Sequence, residues 1–145
     1  MFERLFSPIQ IRGLELRNRV VMSAMGTLFA AASEDHRSVT EKLINYHVAR
    51  ARGGCGLNTV EVCAVDMASS PKGFLSIADD RYISGLRKLT DAVHEAGGAV
   101  AVQLWQGSLA VASDREAEIL VPSDRALSEN FTLPGITVER IRSVI

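Results

Sequence analysis

The sequence predicts an α/β protein in which buried parallel strands alternate with helices. Apolar runs at residues 19–25, 56–65 and 99–105 indicate three strands. Each run is apolar on both faces, as strands of a parallel sheet covered by helices are. Helical spacing of the apolar residues between them gives the order strand, helix, strand, helix, strand, which is repeated βα winding.

A short β-hairpin is expected before the first strand. Apolar residues alternate through SPIQIRGLELRNR (7–19), and Gly13 interrupts them, so the chain should turn near Arg12-Gly13. The first strand, RVVMSAM (19–25), follows directly. Residues 26–37 are small and polar, which predicts a loop.

Two helices are expected between the strands. The first lies within SVTEKLINYHVARARGG (38–54), where Ser38 and Glu41 form a capping box and Gly53 ends the apolar periodicity. The second runs from about Tyr82 to Ala96 and ends before a glycine pair. Both helices have an apolar face that can cover the sheet.

The last part of the chain predicts a long loop and the beginning of a third helix. Residues 107–135 have no regular pattern, and long loops in compact domains are usually functional. Thr137 opens TVERIRSVI, whose apolar residues fall on one helical face. Residues 1–145 are therefore expected to form one domain that is truncated within this third helix.

Composition excludes several classes of protein. A formal net charge of -1 provides no basic field for nucleic acid or anionic lipid. No apolar stretch approaches the ~18–20 residues of a membrane span, and the N-terminus lacks a signal-peptide core. Cys55 and Cys63 match no metal-binding spacing and are expected to be reduced thiols. A cytoplasmic protein without a metal site is expected.

The βα order fits either a (β/α)8 barrel or an open doubly wound sheet. Dinucleotide-binding open sheets carry a glycine-rich turn after the first strand, whereas MSAMGTLFA (22–30) holds a single glycine. This favours the N-terminal portion, about three βα units, of a (β/α)8 TIM barrel preceded by a hairpin. Because a complete barrel takes about 250 residues, the chain either lacks the remainder of the barrel or forms a homo-oligomer.

In barrels, the active site lies at the carboxyl ends of the strands. Here those ends are SAMGT (23–27), EVCA (61–64) and QLWQG (103–107). They hold no Ser–His or Cys–His pair and no pair of carboxylates, so no hydrolytic nucleophile is predicted. Small residues with one amide, Gln103, would suit a flat ligand with polar edges.

Three segments in order carry a resemblance to a known family. LFSPIQIRGLELRNRVVMSAMGT, YHVARARGGCGLNTVEVCAVD and IADDRYISGLRKLTDAVHEAGGAVAVQLW resemble the first three βα units of the old yellow enzyme family of flavin oxidoreductases. The ending SAMGT is more similar to the dienoyl-CoA reductase and enoate reductase branch. The resemblance implies a (β/α)8 barrel with non-covalent FMN, which passes a hydride from NADH or NADPH to an activated C=C bond of a small-molecule substrate.

The resemblance also implies which residues bind the cofactor. Ser23, Ala24, Met25 and Gly26 match the stretch that lies against the flavin ring. Val62 matches the small residue after the acid of the second strand. Gln103 matches the glutamine that hydrogen-bonds the pyrimidine edge, although spacing alone leaves open a glutamine bonded to neighbouring backbone.

Several positions depart from the family pattern, and several parts of the site are absent. Proline is usual at Ala24, threonine or cysteine at Gly26, and His-Ala-Gly-Arg where Gln106 and the next residues stand. The family's catalytic residues and phosphate-binding loops would follow Ile145, and so would an iron–sulfur cluster, which this branch often adds. No catalytic residue is therefore predicted within the chain.

Two functions remain open at this stage. The first is a segment of an FMN-dependent ene-reductase that is inactive as the isolated 145 residues. The alternative is a non-catalytic module that self-associates, or binds a partner, through the open edge of its sheet.

Overall fold

The computed structural model describes residues 2–106 and 118–144. Its elements in chain order are helix α1 (Glu3–Phe6), strands β1 (Ile9–Ile11), β2 (Leu14–Leu16) and β3 (Val21–Met22), helix α2 (Glu41–Arg52), strands β4 (Leu57–Ala64) and β5 (Leu75–Ser76), helix α3 (Ile83–Glu95), strands β6 (Ala99–Trp105), β7 (Arg125–Ser128) and β8 (Phe131–Leu133), and helix α4 (Val138–Val144). The predicted hairpin is β1–β2, and the alternation of strand and helix is confirmed.

The parallel sheet is built around β4. Strand β6 pairs with β4 along its whole length, from Leu57 opposite Ala99 to Ala64 opposite Trp105. Since β6 occupies one edge of β4, strands β3 and β5 must share the other edge. There β3 pairs with residues 57–58, and β5 pairs with residues 63–64. Residues 59–62, here called the open stretch of β4, lie between these two pairings and have no strand partner on that edge among the described residues.

Helices α2 and α3 cover one face of this sheet. The buried apolar residues of this layer form one cluster: Ala30, Leu43, Ala51, Val60, Cys63, Leu75, Leu89 and Val93. Gly98 permits close packing at the start of β6, because a Cβ there would lie 2.9 Å from the Cβ of Ala51. The helices therefore rest directly on β4 and β6, which is the layering expected of βα units.

A polar connection fixes the entry into β3. The Asn18 side chain donates to the carbonyl of Gly54 at 2.7 Å and accepts from the amide of Val20 at 3.0 Å. Arg17 donates to the carbonyls of Ala51 and Cys55. These bonds satisfy carbonyls at the end of α2 and hold the start of β3 beside the start of β4.

The predicted capping box at Ser38 and Glu41 is wrong. Helix α2 begins at Glu41, and Thr40 is its N-cap, with a hydroxyl that accepts from the amide of Leu43 at 3.3 Å. The N-cap directly precedes the first helical residue, whereas Ser38 lies three residues before Glu41. Its hydroxyl instead donates to Asp35 at 2.9 Å.

Other predicted elements differ in extent. The first strand is only Val21–Met22 rather than 19–25, because β4 offers it a partner only at Leu57 and Asn58. Part of the predicted loop 107–135 is the antiparallel hairpin β7–β8, and residues 107–117 lie outside the described residues. In the described ranges, 2–106 and 118–144, no helix has the length and apolarity needed to cross a membrane.

A buried polar pair lies between α2 and β4. His47 and Asn58 are 1% and 0% exposed, and neither side chain has a hydrogen-bond partner among the described residues. Burial lowers the pKa of His47, and the nearby Arg50 acts in the same direction, whereas the Asn58 amide raises it in part. The pair does not reach hydrogen-bond geometry. His47 is therefore neutral in the folded chain at neutral pH.

The neutral His47 should make the fold sensitive to acid. Below the unfolded-state pKa of about 6.5, the unfolded chain takes up a proton that the folded chain resists, so folding stability falls with pH. The wild-type chain loses folding stability between pH 7.5 and 5.5. We expect this loss to be smaller in His47→Leu, by up to about 1.4 kcal/mol. Urea unfolding of both proteins at the two pH values measures this, and equal losses would contradict the assignment.

Candidate functional site

Gln103 and Val62 are neighbours on the face of the sheet that the helices leave open. They are register partners in the parallel β4–β6 pairing, so their side chains project to the same side. The preceding pair, Val60 and Val102, packs with the helical layer and therefore points the other way. The Gln103 side chain is exposed, and Val62 is half-buried.

A β-bulge at Glu61 brings these two residues together. The register of β4 against β6 shifts between Val60 and Val62, which leaves Glu61 without a partner on β6. In an unbroken ladder, Glu61 would stand opposite Gln103, and Val62 would turn towards the helices. The extra residue restores Val62 to the open face and Cys63 to the apolar cluster.

Glu61 itself binds the loop that follows β3. Its side chain is fully buried, and Oε2 accepts from the backbone amide of Thr27 at 2.6 Å and from the Thr27 hydroxyl at 2.5 Å. The other carboxylate oxygen has no partner among the described residues. Burial, together with the charge of Glu61, raises the pKa of the Cys63 thiol to about 12. Both cysteines are free thiols, as predicted.

The predicted segment Ser23–Gly26 lies between two attachments to β4. Before it, Met22 pairs with Asn58, and after it, Thr27 binds Glu61. The segment therefore runs beside the open stretch of β4. Ser23, Met25 and Gly26 are exposed and Ala24 is half-buried, so the segment is accessible to a ligand on the open face.

Sequence reasoning did not select Glu61 and Thr27 as site residues. The available signal was an acid inside an apolar strand, because a buried carboxylate nearly always has a structural or functional partner. Trp105 packs against Phe74 with ring centroids 5.3 Å apart. Gln106 is half-buried, and its Nε2 has no partner among residues 2–106 and 118–144.

A charged cluster joins α4 to the loop after β4. Arg140 donates to Asp66 at 2.6 Å and to Glu118 at 2.5 Å, and the Ser69 hydroxyl also donates to Asp66. Burial by itself would raise the pKa of Asp66, but the bonds from Arg140 and Ser69 hold it below its ordinary value. The cluster attaches the segment after residue 117 to the carboxyl end of β4.

Comparison with known proteins identifies the family to which the chain belongs. The model of the NADH:flavin oxidoreductase / NADH oxidase family matches residues 4–139. The chain belongs to this family. The resemblance to old yellow enzymes is thereby confirmed, as is the expectation of FMN and NADH or NADPH for the family.

Relatives and solved structures agree with this family. The chain is 43% identical over 102 residues to a metal reductase of Desulforamulus reducens, covering 70% of the chain and 15% of the relative. It is 36% identical over 145 residues to the 4,4'-dithiodibutanoate disulfide reductase of Rhodococcus erythropolis, covering 97% of the chain and 34% of the relative. An old yellow enzyme structure from Pichia sp. AKU4542 superposes with a TM-score of 0.79 at 22% identity, covering 97% of this chain and 39% of that one.

These matches settle the fold class. The structural neighbours are barrels of the old yellow enzyme family, and the chain corresponds to about 40% of such a barrel. The predicted N-terminal portion of a (β/α)8 barrel is confirmed. The chain spans only 15% and 34% of the two curated relatives reported above. The cofactor contacts assigned to Ser23, Ala24, Met25, Gly26, Val62 and Gln103 remain predictions.

The charged cluster should stabilise the attachment of α4. Arg140→Leu leaves Asp66 largely buried without its cation, which we expect to lower the free energy of unfolding by about 1–2 kcal/mol. Arg142→Leu, on the same helix and outside the cluster, is the matched control and should change it by less than about 0.5 kcal/mol. Equal effects of the two variants in chemical denaturation would show that the cluster contributes nothing specific.

Proposed function

We propose that this chain forms the pyrimidine side of an FMN site in an NAD(P)H-dependent oxidoreductase. The observation that carries the proposal is the placement of Gln103 beside Val62 on the open face, at the carboxyl ends of two parallel strands. Barrel enzymes place their ligands at this end of the strands. Membership of the flavin oxidoreductase family supports the choice of ligand.

The residues present have the chemistry that this part of FMN requires. The pyrimidine edge alternates hydrogen-bond acceptors with one N–H, and the primary amide of Gln103 both donates and accepts. Gln103 is exposed, so its amide is available to a ligand. Val62 has no polar atom in its side chain and would contact the flat ring, while the segment Ser23–Gly26 would lie against the ring.

When bound, FMN would accept a hydride from NADH or NADPH and pass it to an activated C=C bond. The role of Gln103 would be to orient the ring and, by donating to a pyrimidine oxygen, to favour the negatively charged reduced form. Gly26 presents only its backbone here, so no side chain at this position would modify the ring. Gln106 has no assigned role.

The phosphate of FMN would need residues outside this chain. In barrels, the phosphate is commonly held by loops after the seventh and eighth strands, whereas the chain has the first three βα units. We therefore propose that hydride transfer requires a complete barrel and that the isolated 145 residues are inactive.

A second candidate function is self-association through the open side of the sheet. In the described part of the chain, β6 pairs only with β4, and the exposed Val21 and Ala101 lie on the open face. An unpaired edge beside an exposed apolar face is a template for another chain. Size-exclusion chromatography with FMN titration separates the candidates, because an oligomer without bound flavin would favour this second one.

Removal of the Gln103 amide should weaken flavin binding. In the protein translated from its natural reading frame, we expect Gln103→Ala to raise the FMN dissociation constant about tenfold. The reduction potential of bound FMN should fall by about 30 mV, since the reduced ring loses a hydrogen bond.

Gln10→Ala is the matched control, because Gln10 is exposed on the β1–β2 hairpin, away from the parallel sheet. Flavin fluorescence titration and spectroelectrochemistry measure both quantities. A wild-type protein that binds no flavin would overturn the proposed function. If Gln103→Ala bound FMN like wild type, the role of Gln103 would be wrong.

A further inference from the structure

Glu61 is a buried carboxylate that the proposed cofactor contacts leave unexplained. It is 0% exposed, on a strand whose other side chains are mostly apolar, and one of its oxygens has no partner in residues 2–106 and 118–144. Burial of a carboxylate costs desolvation free energy, so a buried carboxylate needs hydrogen bonds that compensate for the lost water. Within the described residues, the bonds of Glu61 go to Thr27.

The bonds from Glu61 to Thr27 matter because of where Thr27 lies. On this edge of β4, main-chain pairing with β3 ends at Asn58 and resumes with β5 at Cys63. In the gap, the Glu61 carboxylate accepts the Thr27 backbone amide at 2.6 Å and therefore takes the place of a strand carbonyl. The Thr27 hydroxyl then accepts from the amide of Phe29 at 3.2 Å, which continues the connection into the next turn.

We propose that Glu61 is a positioning residue for the flavin, because its hold on Thr27 sets where the segment Ser23–Gly26 lies beside the open face. The inference rests on the proposed function and deepens it. Glu61 acts through Thr27, whereas Val62, the next residue, and Gln103 face the ligand. The same bulge thus directs Glu61 to the loop and Val62 to the site.

The structure offers a matched pair of threonines for the test. Thr27→Val removes the hydroxyl that Glu61 binds, and Thr27→Ser retains a hydroxyl. Thr40→Val makes the identical chemical change at the N-cap of α2, where the hydroxyl accepts from Leu43 and donates to Phe29. Both valine variants lose comparable hydrogen bonds, but Thr27 directly follows the predicted flavin segment, whereas Thr40 binds Phe29, three residues beyond it.

The experiment uses the protein translated from its natural reading frame, titrated with FMN. We expect Thr27→Val to raise the FMN dissociation constant about tenfold and to shift the visible absorption bands of the bound flavin. Thr27→Ser should restore both, and Thr40→Val should leave both unchanged. Glu61→Gln should resemble Thr27→Val, since it replaces a charged acceptor with a neutral one.

The outcomes separate this inference from the function on which it rests. If wild type binds FMN and Thr27→Val behaves like Thr40→Val, Glu61 has no positioning role, while the proposed function stands. If wild type binds no FMN, both are overturned. Should Glu61→Gln fail to fold, the comparison of Thr27→Val, Thr27→Ser and Thr40→Val still decides the question.

Discussion

The register of β4 against β6 is the constraint on which the rest of the structure depends. In a strand, a slip of one residue exchanges the two faces, so register decides which side chains meet the helices and which meet a ligand. Here the bulge at Glu61 corrects the register halfway along the pair. It keeps Cys63 within the apolar cluster and places Val62 beside Gln103, so packing and site geometry are fixed by one local feature.

Buried polar groups lie on both sides of β4, and the bonds of Glu61 hold this arrangement in place. Asn58 is fully buried next to His47 on the helical side, and Glu61 is fully buried against Thr27 at the edge. A buried carboxylate such as Glu61 stabilises a fold less than an apolar residue of the same size, but it penalises any alternative register that separates it from Thr27. Strand β4 therefore favours one register through a residue that also binds the loop beside the site.

Local patterns in the sequence predicted the helices and strands. They could not predict contacts between residues that are distant in the sequence. The apolar periodicity of α2 and α3 and the runs of β4 and β6 depend on neighbouring residues, and these elements were predicted correctly. The bulge depends on the pairing with β6, and Thr27 lies 34 residues from Glu61, so the acid in the apolar run indicates a buried partner but identifies neither the bulge nor Thr27. The hairpin β7–β8 was missed because Leu133 is the one buried residue of its two strands, which is too few to impose alternation.

The open face connects barrel closure with formation of the proposed flavin site. Every open-face residue of β6 up to Gln103 is at least partly exposed, while Asn58, Val60 and Cys63 on the helical face of β4 are buried. In a complete barrel, inward-facing side chains are packed in layers, and the ligand lies above them at the carboxyl ends of the strands. Chain segments that pack over Ala101 would therefore also form walls around the ligand position beside Gln103. Barrel closure would then increase both folding stability and cofactor binding, because the open face of the sheet takes part in both.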